Sequence, residues 1–388
     1  MSTSIIAAAT QGLVGEPFSS WSMSALLAMA FCASFVIAAV LSPLLAKAFG
    51  RMGFVDKPSE DRFSRRAVPK GGGVAIFWAV ALPIVAALGA VWYCRAHDLQ
   101  PFWLPQGLQE HLPGILSRAK GALAILGGAA VLHLLGLIDD RWTVKPLIKL
   151  IVQFAVAVGL VAFFEIRLFR FLPWQLGTLP TVIWIVLLTN VFNFLDNMDG
   201  LSGGVAAIVL IVLIWVGLLS KQIFVPTLAT VVLGGLVGFL LYNFHPARIF
   251  MGDSGSLPLG YLVAVVSVLT TYYNPDLQQG QWYSTLTPLV ILAIPLYDFV
   301  SVVFLRLRAH QLPWMGDRRH FSHRLIQRGM SEKKAVLTIY LATATTAVSA
   351  IFLAQVDALG AVLIFIQALA VTGIIALLES SKAKNISN

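Results

Sequence analysis

Long apolar runs separated by short polar turns make up most of this 388-residue chain. A helix that crosses a bilayer needs about 20 mostly apolar residues. Windows of that kind fall near 22–46, 74–94, 121–138, 147–165, 179–195, 204–220, 223–242, 257–273, 285–305, 334–354 and 358–378. The pattern predicts an all-α polytopic membrane protein of about eleven transmembrane helices, forming a single integral membrane domain over 1–388. Spans six and seven meet at a turn around Lys221, the least distinct boundary of the set. Residues 166–178 depart from the helical pattern. They alternate apolar and polar positions and contain Pro173 and Gly177, which predicts a short extracytoplasmic β-hairpin. No repeat of 20–50 residues is visible.

Composition supports the same class. The chain is 58% hydrophobic and 12% charged, against roughly 45–50% and about 25% in soluble domains. Its mean hydropathy is +0.83. Residues 1–20 contain neither Lys nor Arg, so a cleaved signal is not expected. Cys32 and Cys94 both lie in apolar runs and read as small core residues rather than a disulfide or a metal site. Several tryptophans, among them Trp92, Trp142, Trp174 and Trp282, fall at span ends, where aromatic anchors belong.

Charge then orients the chain. Connections after odd-numbered spans, together with the C-terminal tail, hold 21 of the 27 basic residues. Under the positive-inside rule that face is cytoplasmic, with the N-terminus outside and the C-terminus inside. The net charge of +9 is therefore loop charge of a membrane protein, and no nucleic-acid partner is expected. The cytoplasmic connections run near 47–73, 139–149, 196–203, 243–256 and 306–333.

The few acidic residues concentrate on that face. Asp139 and Asp140 end span three, Asp196 and Asp199 end span five, and Asp253 lies between spans seven and eight. Carboxylates at a membrane boundary are costly unless paired, solvated or bound to metal. Five of them in short Gly-rich turns suggest a magnesium and phosphate site, since Mg2+ takes one or two carboxylates plus phosphate oxygens and water. The plainer alternative is that each Asp caps a helix end. The segment from Asn243 to Ser256 sharpens the reading: Gly252 and Gly255 admit close backbone approach, and Ser254 and Ser256 add hydroxyls around Asp253. A hydrolase is not indicated, because no triad partner is placed. After span nine comes Asp317-Arg318-Arg319-His320-Phe321-Ser322-His323-Arg324, in which arginines offer bidentate phosphate contacts and histidines can donate or shuttle a proton. His97, His111 and His133 have no such company. Asp298 lies inside span nine, either as a functional carboxylate or as the partner of a nearby basic residue. There is no P-loop.

The ordered motifs resemble the polyprenyl-phosphate N-acetylhexosamine-1-phosphate transferases. The stretches that carry the likeness are Asp56-Lys57-Pro58 with Pro69-Lys70-Gly71-Gly72-Gly73; Gly136-Leu137-Ile138-Asp139-Asp140-Arg141; Asn190 to Leu201; Asn243 to Ser256; and Arg318 to Leu325. The branch most similar is that of the bacterial GlcNAc-1-phosphate transferases, with Asp317-Arg318-Arg319-His320 as the distinguishing loop. The resemblance implies transfer of a sugar-1-phosphate, N-acetylhexosamine-1-phosphate above all, from a UDP-sugar to polyprenyl (undecaprenyl) phosphate with release of UMP, as the first membrane step of cell-envelope glycan synthesis. Two positions depart from the family pattern. Asn197 replaces a glycine that the family often carries, and Ser322 stands where a third histidine is common.

By resemblance, Asp253 is the leading metal ligand, with Asp139 beside it. Asp139 and Asp140 engage the lipid phosphate, either deprotonating it or sharing the metal. Asn190, Asn193, Asp196, Asp199 and Asn243 shape the nucleotide site. Arg306, Arg318, Arg319, His320 and His323 bind the diphosphate and sugar, with the two histidines also counted as catalytic. Lys57, Lys70 and Lys145 are further phosphate contacts. The implied ion is Mg2+, with Mn2+ as the alternative. The partners are a UDP-sugar and a polyprenyl phosphate lipid in the inner (plasma) membrane, the chain is multi-pass with a cytoplasmic active site, and a homodimer is compatible. The competing class is a secondary transporter of an anionic solute, but the chain lacks the repeated, broken helices of that class.

Overall fold

A computed structural model describes residues 20–56, 67–97, 99, 112–164, 166–167, 173–273, 281–312 and 319–380. Lys57, Arg318, the first 19 residues and the middle of the expected 166–178 hairpin lie outside the described residues. The helices are α1 (Ser20–Arg51), α2 (Gly72–Ala96), α3 (Leu112–Trp142), α4 (Pro146–Phe164), α5 (Trp174–Leu195), α6 (Leu201–Leu219), α7 (Phe224–Asn243), α8 (Asp253–Leu269), α9 (Thr287–Ile291), α10 (Ala293–Arg308), α11 (Phe321–Gln327), α12 (Glu332–Ala350) and α13 (Ala358–Ser380).

Each of the eleven apolar windows is helical over most of its described length, yet the helices are not equal. Among the described residues, eight are long and apolar enough to cross a membrane alone, or nine if a bent pair is counted as one span. That pair, Trp282–Ile291 with α10, turns by 65°. α8 has only 17 residues, a rise of about 26 Å. α12 is more polar, opening with Glu332, Lys333 and Lys334. Its Thr338, Thr343, Thr345 and Thr346 hydroxyls nevertheless each donate to the carbonyl four residues earlier, which satisfies their polarity inside the helix.

α8 is the axis of the fold. It packs against α3, α5 and α2, and Ser254 to Val268 are buried without interruption, as expected for a helix apolar on all sides. α7 packs between α1 and α6, and α12 against α6. α1 and α13 are largely exposed along their apolar lengths, so the outer surface is apolar, as lipid contact requires. The turn at Lys221 is a true break. Lys221 is left-handed (φ 52°), and Gln222 bridges to the end of α8 through Leu269 and Thr271.

Two expectations need correction. Trp174–Gly177 open α5 instead of forming the second arm of a hairpin: the Pro173 carbonyl accepts from Leu176 and Gly177 N–H groups, and a proline at a helix start sacrifices no ladder bond. Besides the helices, the described residues contain one two-residue ladder, compatible with the all-α class. Val55–Asp56 pairs antiparallel with Val68–Pro69, too short a ladder for any period-two pattern to reveal. Cys94 is buried as expected, but Cys32 is exposed on α1 and is not a core residue.

Candidate active site

Polar residues gather at one end of the bundle because helix ends from distant stretches meet there. The segment before α2 lies along the segment before α8. Phe250 N–H donates to the Pro69 carbonyl, while Gly72 and Gly73 N–H groups donate to Phe250 and Met251 carbonyls. The N-terminus of α8 is thereby held beside the C-terminus of α3.

Asp140 completes that junction. Its two oxygens accept from the backbone N–H groups of Asp253 (3.2 Å) and Ser254 (3.0 Å), the orphan donors at the start of α8. Its side chain is only 4% exposed, with Lys70 Nζ at 4.0 Å; Lys70 also lies 3.4 Å from Asp56. His133, half a span deeper on α3, shares a hydrogen bond with the Ser254 carbonyl at 2.7 Å.

Asp139 and Asp253 face each other across the ammonium of Lys149. Lys149 Nζ is 3.0 Å from Asp139 Oδ2 and 3.0 Å from Asp253 Oδ2. Asp139 Oδ1 accepts from Val144 N–H at 2.6 Å, inside a corner whose Thr143 is left-handed (φ 47°), an uncommon conformation for a β-branched residue. Asp253 Oδ1 accepts from Asn193 Nδ2 at 3.0 Å, and the same amide reaches Ser256 Oγ at 2.9 Å. Among the described residues, the carboxyl groups of Asp56, Asp139, Asp140 and Asp253 gather around the ammonium groups of Lys70 and Lys149, a setting that would suit a divalent cation.

The donor set fits magnesium. Two carboxylate oxygens already flank a cation, here an ammonium, and hard oxygen ligands few in number are what Mg2+ uses beside phosphate. A different arrangement forms the one group of three or more metal-capable side chains among the described residues. Asp199, His245 and Glu332 have ligand atoms within 4.8 Å of one another, with His245 Nδ1 at 3.0 Å from both carboxylates. It borders a cavity of about 280 Å³ lined in part by Met198, Phe244, Lys333 and Tyr340.

Residues of α10 and residues 319–323 form the second half of the site. Asp298, buried in α10, shares a hydrogen bond with His320 Nδ1 at 3.0 Å and accepts from Phe321 N–H at 2.6 Å. Arg306 is 2% exposed, its guanidinium 5.0 Å above the Phe194 ring, and the His320 ring meets the same phenyl edge-on at 5.8 Å. The ring of His323 is 6.0 Å from that of His320. Arg319 Nη1 donates to the Leu305 carbonyl.

Other expected residues are placed less directly. Asn190 donates to Gln153 Oε1 and the Val186 carbonyl, one turn deeper than Asn193. Asn243 is buried and ties two turns together, accepting from Gly200 N–H and donating to the Ile249 carbonyl. Asp196 is half-buried at the end of α5, and Asp199 accepts from Ala247 N–H. Lys145 is exposed in the turn before α4, whereas Lys149, one turn on, reaches the carboxylates. Sequence reasoning passed over Lys149. Its signal was that it is the only charged residue of α4, and a charge inside a span asks for a partner.

Comparison with known proteins adds a family to this geometry. Residues 122–271 match the profile described as glycosyl transferase family 4. The chain is 32% identical over 334 residues to the probable undecaprenyl-phosphate N-acetylglucosaminyl 1-phosphate transferase of Bacillus subtilis, covering 84% of each chain. It is 32% identical over 320 residues to the decaprenyl-phosphate N-acetylglucosaminephosphotransferase of Mycobacterium tuberculosis H37Rv, covering 75% of this chain and 73% of that one. With the undecaprenyl-phosphate alpha-N-acetylglucosaminyl 1-phosphate transferase of Escherichia coli K12 the identity is 25% over 312 residues, 76% of each.

Proposed function

We propose a function from one premise: this chain belongs to glycosyl transferase family 4. It transfers a sugar-1-phosphate from a UDP-sugar to a polyprenyl phosphate in the membrane, and N-acetylglucosamine is the sugar that the named relatives favour. The observation that carries this reading is the pairing of Asp139 and Asp253 around a cation position at one end of an apolar bundle. A phosphate-bearing lipid and a water-soluble nucleotide can meet only at such a boundary.

In the reaction, an oxygen of the lipid phosphate attacks the β-phosphorus of the UDP-sugar. A new P–O bond forms, the bond from that phosphorus to the α–β bridging oxygen breaks, and UMP leaves with the oxygen. Catalysis of this kind is mainly positioning and charge neutralisation. Asp253 and Asp139 would hold Mg2+, with Asn193 orienting Asp253; when bound, the ion neutralises charge building on the diphosphate. Lys149, between the two carboxylates, is placed to pass from them to a phosphate oxygen. Asp140 holds the start of α8 and acts through it. Arg306, Arg319 and His320 supply positive charge and donors from the facing loop, and Asp298 sets the His320 ring. Asp199 lines the cavity beside His245, and with Asp196 it would shape the nucleotide side.

We also infer eleven crossings, with the bent α9–α10 pair as one span, and the site facing the cytoplasm, where the basic connections lie. The test is direct. The purified protein in detergent, given UDP-GlcNAc, undecaprenyl phosphate and Mg2+, releases UMP, and omission of the lipid phosphate stops release. Failure with a panel of UDP-sugars would sink the reading.

A further inference from the structure

Two residues depart from the pattern on which the resemblance rests, Asn197 for glycine and Ser322 for histidine, and in the fold they touch. They lie 125 positions apart, and the Ser322 hydroxyl donates to Asn197 Oδ1 at 2.6 Å. Asn197 Nδ2 in turn donates to the Phe194 carbonyl at 2.7 Å. Ser322 is 1% exposed, so its hydroxyl depends on this acceptor; a buried hydroxyl without a partner is destabilising.

The backbone does not ask for glycine at 197. The described non-glycine residues with positive φ are Thr143, Lys221 and His310, and the left-handed residue of this turn is Gly200, at φ 74°. The Asn197 side chain is therefore what distinguishes the position. It ties the end of α5 to α11 between two functional groups. Asn193, on one side, orients Asp253. His320, at the start of α11, faces the Phe194 ring under Arg306.

We propose that Asn197 and Ser322 form a paired positioning device for the transfer reaction, registering His320 and α11 against the end of α5. The inference rests on the transferase reading. Glycine at 197 with serine at 322 orphans a buried hydroxyl. Histidine at 322 with asparagine at 197 overfills a buried contact. Changing both keeps the volume, because the heavy atoms lost at 197 equal those gained at 322, and volume-conserving exchanges are tolerated best. The two positions accept glycine and histidine only together.

The experiment compares UMP release by the wild type, Ser322→Ala, Asn197→Gly, Ser322→His and the double variant N197G/S322H, with melting temperature in detergent beside it. Each single variant is expected to lower kcat by about tenfold to a hundredfold, the cost of a small misplacement. KM for the UDP-sugar should stay near wild type in each. Asn197→Gly and Ser322→His are expected to melt lower, whereas Ser322→Ala, which leaves no orphaned hydroxyl and adds no volume, should melt near wild type while losing kcat, a split that a merely structural contact does not produce. The double variant should return kcat to near the wild-type value. Ser322→Ala adds no volume and decides the matter alone if Ser322→His fails to fold. Wild-type kcat in Ser322→Ala, or a double variant as poor as the two single losses multiplied, overturns the pairing. A wild type that releases no UMP from any UDP-sugar instead overturns the transferase reading, and the pairing with it.

Discussion

Lys149 and Asp253 are 104 positions apart in the chain, and the ammonium of one lies 3.0 Å from Oδ2 of the other. The same ammonium touches Asp139 at the same distance. A cation is thus already accommodated between the two carboxylates that by resemblance hold the metal. On the proposed reading, lysine and metal compete for this place, and phosphate would draw the ammonium away.

Lys149→Met removes that competitor. A unit charge about 5 Å from a site contributes roughly 3 kcal/mol at an effective dielectric of about 20. The variant should reach half-maximal rate at an Mg2+ concentration at least about tenfold lower than wild type, with a reduced kcat from loss of a phosphate contact. Magnesium titration of UMP release checks it; an unchanged half-saturation would mean the ammonium does not stand at the metal position.

Asp253→Asn keeps the size and the hydrogen-bonding reach of the side chain but removes its charge. Activity should fall by about a thousandfold or more, several kcal/mol of transition-state stabilisation, while melting temperature stays close to wild type. A variant with substantial activity at saturating Mg2+ would remove Asp253 from the chemistry.

Asp298→Asn tests the second half of the site. The amide can still accept from Phe321 N–H, but it presents a donor to His320 Nδ1 and so forces the other tautomer of the ring. The rate should drop on the order of 10²–10⁴-fold with the fold intact, as for a general acid or base held in the wrong protonation geometry. The measurement is kcat against pH, and a profile superimposable on wild type would leave Asp298 a purely structural residue.

Gly136→Ala tests the contact between α3 and α8. A Cβ at Gly136 would lie 2.3 Å from the Asp253 carbonyl oxygen, backbone that cannot rotate aside. A loss of about 1–3 kcal/mol is expected from overpacking. Gly127→Ala on the same helix meets nothing within 4 Å and should be neutral or stabilising by up to about 1 kcal/mol. Thermal unfolding in detergent separates the two, and equal behaviour would contradict the close approach.

Much of the site was legible before the fold. The carboxylates of Asp139, Asp140 and Asp253 stood out because charge is rare in an apolar chain, and the histidines because they followed an arginine-rich turn. The division of labour among them was not legible. Asp139 and Asp140 are neighbours in sequence, yet one faces Lys149 and the other caps α8, since successive helical residues point about 100° apart. Asn243, expected at the nucleotide site, also ties two turns together from a buried position.

The amino-acid sequence by itself determined the membrane class, the positions of the helices and the motifs that gather the polar residues, because apolar length and charge spacing are local properties that any helix expresses. Only the tertiary structure decided that Lys149 bridges two distant acids, that Asp298 holds His320, that Asn197 meets Ser322, and that residues 174–177 begin a helix. Contacts across tens to more than a hundred positions depend on how helices pack, and no periodicity along a chain records which faces come together.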